Sequence, residues 1–263
     1  MEKHYETLIV EAADGVATVN LNRPEKRNAV DRTMFAELGQ AFDAIASDKE
    51  IRAFVLTGVG DHFCSGADLS AIGDAPSSPS QMLDRMREIH QIMKKIVTCP
   101  KPGIAAVRGW AAGGGANLAL ACDLVIMAED AKFAELFVKR GLVVDMSGTF
   151  TLPRAVGLHR AKELALFGEA IDARRCYEIG IANLVVPAEE LDVTVKEWAT
   201  KLAAGPPIAL SLLKKALNES FAQSFDEILE QESLNQSIVF STRDVAEAIA
   251  AFLQKRAPEF KGE

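Results

Sequence analysis

Several scarcities narrow the field first. Cysteine is one: Cys64, Cys99, Cys122 and Cys176 are the only four. None forms a C-x-x-C pair, and no histidine stands at metal-ligand spacing from them. A disulfide framework or a structural metal site is therefore not the organising device, and the thiols read as reduced and buried in a cytosol-like compartment. Basic charge is also short, with 29 Lys+Arg against 37 Asp+Glu and a formal net charge of -8. A general affinity for nucleic acid or for an anionic membrane needs a positive surface. Neither is expected as a partner, although one small basic pocket for a phosphorylated ligand stays compatible. No apolar run approaches the roughly 18 residues of a transmembrane helix. The charged opening of the chain lacks the apolar core of a secretory leader, so a cytoplasmic location is expected. Repeats and low-complexity tracts are missing too.

The chain does have enough length, 263 residues, and enough apolar content, 49%, to bury a sizeable core in one or two domains. Residues 5–22 read as two strands around the turn signal Asp14-Gly15. Residues 31–46 have Met34, Leu38, Phe42 and Ile45 at helical spacing. Residues 52–57 and 104–107 are short buried strands, and 124–127 another. The stretch 73–80 has no periodicity and reads as a loop. A helix follows over 81–97, with Met82, Met86, Ile89, Met93 and Ile96 on one face. The glycine run 109–115 leads into a helix over 116–121. Strands alternating with helices imply a mainly parallel sheet. From residue 159 onward the segments 159–167, 188–203, 208–220, 225–238 and 244–255 all read as helices. The expectation is an α/β core over 1–200, carrying binding and catalysis, and a helical region over 201–263.

Two segments carry chemistry. Phe63-Cys64-Ser65-Gly66-Ala67-Asp68-Leu69 follows a strand, and its bland reading is a strand-to-helix loop. Gly109-Trp110-Ala111-Ala112-Gly113-Gly114-Gly115-Ala116-Asn117 lies between a strand and a helix. Three consecutive glycines cost backbone entropy, which implies close backbone approach or unusual dihedrals. Free N–H groups there suit a developing oxyanion, although a tight-packing loop is the plain alternative. A dinucleotide fingerprint fails on spacing, because Leu118 stands where a glycine is needed.

Jointly these segments resemble the crotonase (enoyl-CoA hydratase/isomerase) superfamily. The resemblance runs from Leu21-Asn22-Arg23-Pro24 and Arg27-Asn28-Ala29, through Pro102–Val107 and Cys122-Asp123, to Leu152-Pro153-Arg154 and the Lys255-Arg256 tail. It implies a β-β-α spiral core with a helical C-terminal trimerisation region, assembled as a homotrimer or a dimer of trimers. It also implies an acyl-CoA substrate, with no separate cofactor because coenzyme A is part of that substrate. The oxyanion hole would be the backbone N–H groups of Ala67 and Gly114. Enolate charge sits on the thioester oxygen, and a backbone donor there is worth a few kcal/mol. Ser65, Asp68, Leu69, Ser70, Asn117, Phe137 and Val144 would be substrate-binding. Arg27, Phe252 and Lys255 would meet the CoA, with surface solvation as the alternative for each.

The sequence departs from the hydratase pattern at both catalytic glutamates, whose places fall to Asn117 and Phe137. Asn cannot change protonation state, and water addition needs both a base and an acid. The carboxylate that remains is Asp145, in Gly141-Leu142-Val143-Val144-Asp145-Met146-Ser147-Gly148-Thr149. This segment looks like that of the single-aspartate relatives, the ring-epoxyphenylacetyl-CoA isomerases and other enoyl-CoA isomerases. Capping of the following helix is the competing role. An apolar wall from Phe137 and Val144 would raise the pKa of Asp145 and keep water out. The expected function is thus enoyl-CoA isomerisation. A hydratase using Asp145 and Glu135, a 4-chlorobenzoyl-CoA dehalogenase-like hydrolase and a non-catalytic acyl-CoA binder are the alternatives. The dehalogenase branch pairs its aspartate with a histidine on the preceding long helix, here His90, and with a tryptophan where this chain has Phe137. Glu135 itself reads as a surface residue in the first turn of a helix.

Overall fold

The computed structural model describes residues 5–70 and 78–263. Its largest unit is a six-stranded sheet in the order β1-β2-β3-β4-β6-β9. β1 (Leu8–Ala13) and β2 (Val16–Leu21) form an antiparallel hairpin. Asp14 and Gly15 make its turn with φ of 51° and 77°, the double left-handed geometry that matches strand twist. From β2 onward the strands β3 (Ala53–Gly58), β4 (Gly103–Val107), β6 (Leu124–Ala128) and β9 (Leu184–Val186) pair in parallel. A second sheet holds β5 (Trp110–Ala112), β7 (Lys132–Ala134) and β8 (Ile171–Asp172).

β4 is buried along its whole length, as expected of a parallel strand covered on both faces. On one face α1 (Arg32–Ser47) sets Phe42 against Phe54 of β3 in an edge-on pair, ring centroids 5.0 Å apart. Asp31 starts α1 by accepting the Met34 N–H at 2.8 Å, a cap worth about 1 kcal/mol. On the other face α7 (Leu191–Ala203) brings Val195 and Ala199 to a cleft shared with Val55 and Thr57; successive strand residues point to opposite sides.

α2 spans Pro79–Val97 and is capped by Ser78, so it begins two residues earlier than its apolar spacing suggests. Residues 71–77, most of the expected loop, lie outside the described residues. Only the second half of α2 packs fully, with Met93 and Ile96 buried and Met82 exposed. α3 spans Gly114–Leu120, so the last two glycines of the triplet belong to the helix rather than to the loop before it. α4 (Gly148–Val156), α5 (Leu158–Phe167) and α6 (Ala173–Ile179) follow. Beyond residue 206 the elements are all helical: α8 (Pro207–Glu219), α9 (Phe225–Phe240) and α10 (Arg243–Gln254). β8 and β9 fall between the helices expected over 159–167 and 188–203, in a stretch with no expected element. Among the described residues no helix is long and apolar enough to cross a membrane.

Candidate active site

Two extended loops meet at the ends of β3 and β4. The segment 63–68 runs between residues 27–30 and 108–112. The Phe63 N–H donates to the Arg108 carbonyl, Cys64 to Trp110, Ala112 to Cys64, Val30 to Gly66 and Asp68 to Val30, at 2.8–3.0 Å. Ser65 N–H reaches the Arg27 carbonyl at 3.0 Å. Asn28, fully buried with φ 54°, ties this crossing together. Its amide nitrogen donates to the Val59 and His62 carbonyls, and its oxygen accepts the Arg23 N–H at 2.9 Å.

The approach of these loops depends on glycine. A β-carbon at Gly115 would stand 2.2 Å from the Cys64 carbonyl oxygen. The β-position of Gly114 lies 2.7 Å from the Met146 sulfur and 4.0 Å from the Ala67 nitrogen. The Ala67 and Gly114 N–H groups are therefore neighbours. Gly114 is the first residue of α3, where an N–H has no intrahelical acceptor. No hydrogen bond takes up the Ala67 N–H among the described residues. Ala67 is exposed and Gly114 buried.

Asp145 enters from the turn before α4. It does not cap that helix: Ser147 holds the cap position, without a side-chain bond. Met146 and Ser147 carry φ of 48° and 67°, two successive left-handed non-glycine residues, a strain met at sites the surroundings over-determine. The Asp145 carbonyl is held by the Asn117 amide and the Gly148 N–H, each at 2.9 Å. Its carboxylate Oδ1 is buried without a partner. Burial raises the Asp145 pKa, while His90 on α2 and a backbone N–H oppose the rise. Phe137 is buried, its ring 4.0 Å from the β-position of Gly113, and Val144 packs on Gly148.

Other candidate residues fall differently. The Asp68 carboxylate is engaged, not open: Arg23 holds it at 2.8 Å, and the Ser70 hydroxyl and N–H bond its other oxygen. Those bonds, Ser70 first and Arg23 next, draw its pKa down to about 2. Ser70 is occupied in the same way. Asn117 is fully buried and supports the Asp145 segment. Ser65 turns its hydroxyl to the Lys26 carbonyl, Leu69 is exposed, and Arg27 sits in an exposed left-handed turn. Phe252 and Lys255 belong to α10 and its cap, which pack on α9. Glu135 is the clearest correction. It is completely buried rather than at the surface, because it leaves β7 pointing inward ahead of the short helical turn Leu136–Arg140. Arg23 and Met146 had no assigned role in the sequence. Both lie in motif segments, but only the fold brings Met146 onto Gly114.

A mainly parallel α/β core thus carries two neighbouring backbone N–H groups and a partly buried aspartate on the segment that packs against one of them. A model of the enoyl-CoA hydratase/isomerase family matches residues 11–263, and the chain belongs to that family. It is 38% identical over 259 residues to the 1,2-epoxyphenylacetyl-CoA isomerase of Escherichia coli (strain K12), covering 98% of this chain and 99% of that protein. It is 35% identical over 255 residues to the 2,3-dehydroadipyl-CoA hydratase of the same organism, covering 97% and 98%. A crystal structure of enoyl-CoA hydratase from Bacillus anthracis superposes with a TM-score of 0.93 at 34% identity, covering 98% of this chain and 100% of that one. The fold is thus the crotonase fold, and the protein is an enzyme of that superfamily acting on acyl-CoA.

Proposed function

We propose that the protein is an enoyl-CoA isomerase in which Asp145 shuttles a proton along the acyl chain while the Ala67 and Gly114 N–H groups hold the thioester oxygen. The observation that carries this reading is the Asp145 carboxylate. It is partly buried, has one oxygen without a partner, and is placed one residue from the side chain that packs on Gly114. Removing a proton next to the thioester places negative charge on the carbonyl oxygen, where two preorganised amides act most strongly. One carboxylate then suffices, since it takes a proton from one carbon and returns it to another. Phe137 and Val144 would supply the apolar wall. Likeness to the epoxyphenylacetyl-CoA isomerase supports the isomerase branch.

Hydration is the second reading, favoured by one observation: Glu135 is buried beside Asp145 and provides another carboxyl although both usual glutamate places are Asn117 and Phe137. His90 opposite Asp145 is the feature a dehalogenase-like route would use, but Phe137 stands at its tryptophan position. Purified protein assayed with a 3-enoyl-CoA and a 2-enoyl-CoA separates the readings. Isomerisation of the first without rapid hydration of the second is expected; hydration at ordinary enzyme rates would overturn it.

The same reading takes Arg27 and, from a neighbouring copy, Phe252 and Lys255 toward the CoA. It divides the chain into a catalytic core over 1–200 and an assembling helical region over 201–263. Apolar side chains exposed on α9 and α10, among them Phe225, Phe240, Phe252 and Leu253, support a homotrimer or a dimer of trimers. Sedimentation as a monomer would contradict that assembly. Four free, buried cysteines suit a reducing cytoplasm.

A further inference from the structure

One buried acid is left without work in the reaction. Glu135 directly follows Ala134, whose carbonyl fixes the Gly113 N–H at 2.7 Å, so its backbone is tied to the glycine loop. Its side chain is 0% exposed, and neither carboxyl oxygen has a hydrogen-bond partner. Two neighbouring acceptors share that condition, Asn117 Oδ1 and Asp145 Oδ1. The Asn117 amide approaches the Glu135 carboxyl, and Asp145 is the charged group facing it; His90 of α2 faces Asp145 in turn. Lys139, on the turn after Glu135, pairs with Glu169 at the surface instead. Beyond the Asn117 amide, the cluster holds more acceptors than donors among the described residues. An ionised carboxylate in such a place has lost its water and gained less than it lost from the Asn117 amide.

We propose that Glu135 is a positioning residue for Asp145: it is carried as the neutral carboxylic acid, and its O–H supplies the donor that the buried Asn117 oxygen lacks. Asn117, so steadied, keeps its other end on the Asp145 carbonyl at 2.9 Å. Two carboxyls in one dry site do not both ionise, and the more buried keeps the proton. The negative charge is thereby left on Asp145, the group that must accept a proton. Desolvation first, and the Asp145 charge second, push the Glu135 pKa up to about 8. Above that pH a second negative charge appears beside Asp145. It repels the developing enolate and removes the donor, so turnover falls as pH rises.

This inference rests on Asp145 being the base, and the experiment separates the two. The pH dependence of kcat and KM is measured for the full-length wild type, Glu135→Gln and Asp145→Asn. Infrared spectra of the wild type carrying isotope-labelled glutamate are recorded alongside. In the wild type, kcat should fall above about pH 8 with KM little changed, and a labelled carboxylic-acid band should titrate away over the same range. In Glu135→Gln, which keeps a donor and never ionises, that alkaline fall should disappear. An unchanged alkaline limb in Glu135→Gln, or no acid band at neutral pH, overturns the proposal. Loss of turnover in folded Glu135→Gln at every pH also overturns it, making Glu135 a reacting acid. Should Glu135→Gln fail to fold, the wild-type band alone decides. Activity retained in Asp145→Asn would instead remove the base reading, with the Glu135 band still reporting its own protonation.

Discussion

Asp68 and Glu135 belong to the two loop systems that meet at the Ala67 and Gly114 amides, and their neighbours move them in opposite directions. Asp68 has its ionised form stabilised by the Ser70 hydroxyl and then by Arg23, so its pKa lies near about 2. The stability it contributes is complete above its ordinary value of 3.8 and is lost as pH falls toward about 2. Asp68→Asn removes the ion pair that anchors the residue after Ala67. It should cost about 1–3 kcal/mol at neutral pH, read as a lower denaturant midpoint, and should flatten the acid limb of the stability curve. An unchanged midpoint would mean that Arg23 finds equal company in Asp31, 3.2 Å away. Glu135 works the other way. Its neutral form is the one the fold accepts, so the fold loses stability as pH climbs from its ordinary 4.5 toward about 8.

Among the elements, the contact of β5 and α3 with the 63–68 segment decides whether two amides converge. Gly115 is the tightest point, and Gly115→Ala would drive a β-carbon to within 2.2 Å of the Cys64 carbonyl. Neither partner is the end of a flexible side chain, so the loops must part. Turnover should drop by about 10²-fold or more, the scale of losing one oxyanion donor, in a protein that still binds acyl-CoA; full activity would show that the amides tolerate the shift. The glycine triplet announced this approach in the sequence, but not its register. Glycines are poor helix formers, so α3 was expected to start at residue 116 rather than at Gly114. α1 and the first hairpin were legible because a 16-residue apolar stripe and an Asp-Gly turn are strong local signals. β5, β7 and β8 have two or three residues each, too few for any period to register, and their existence depends on partners distant in sequence.

For the whole molecule, the parallel core and the helical C-terminal region could be read from alternating apolar segments, and the family from motifs spread along the chain. Asp145 was legible as a candidate through that resemblance. Its freedom from capping was not, because Asp before Ser-Gly-Thr is equally a cap signal and only the left-handed turn at Met146 and Ser147 removes it from that role. Glu135 was misread because its burial is set by the short β7, which no local pattern marks. The central claim is that one aspartate moves the proton while two amides hold the oxygen. Its most direct test is exchange of acyl-chain protons with deuterated water, followed in the wild type and in Asp145→Asn at equal acyl-CoA saturation. The variant keeps the shape of the side chain but cannot accept a proton. The account predicts that exchange and isomerisation fall together by about 10²–10⁴-fold with acyl-CoA affinity nearly unchanged; exchange at the wild-type rate in Asp145→Asn would contradict it.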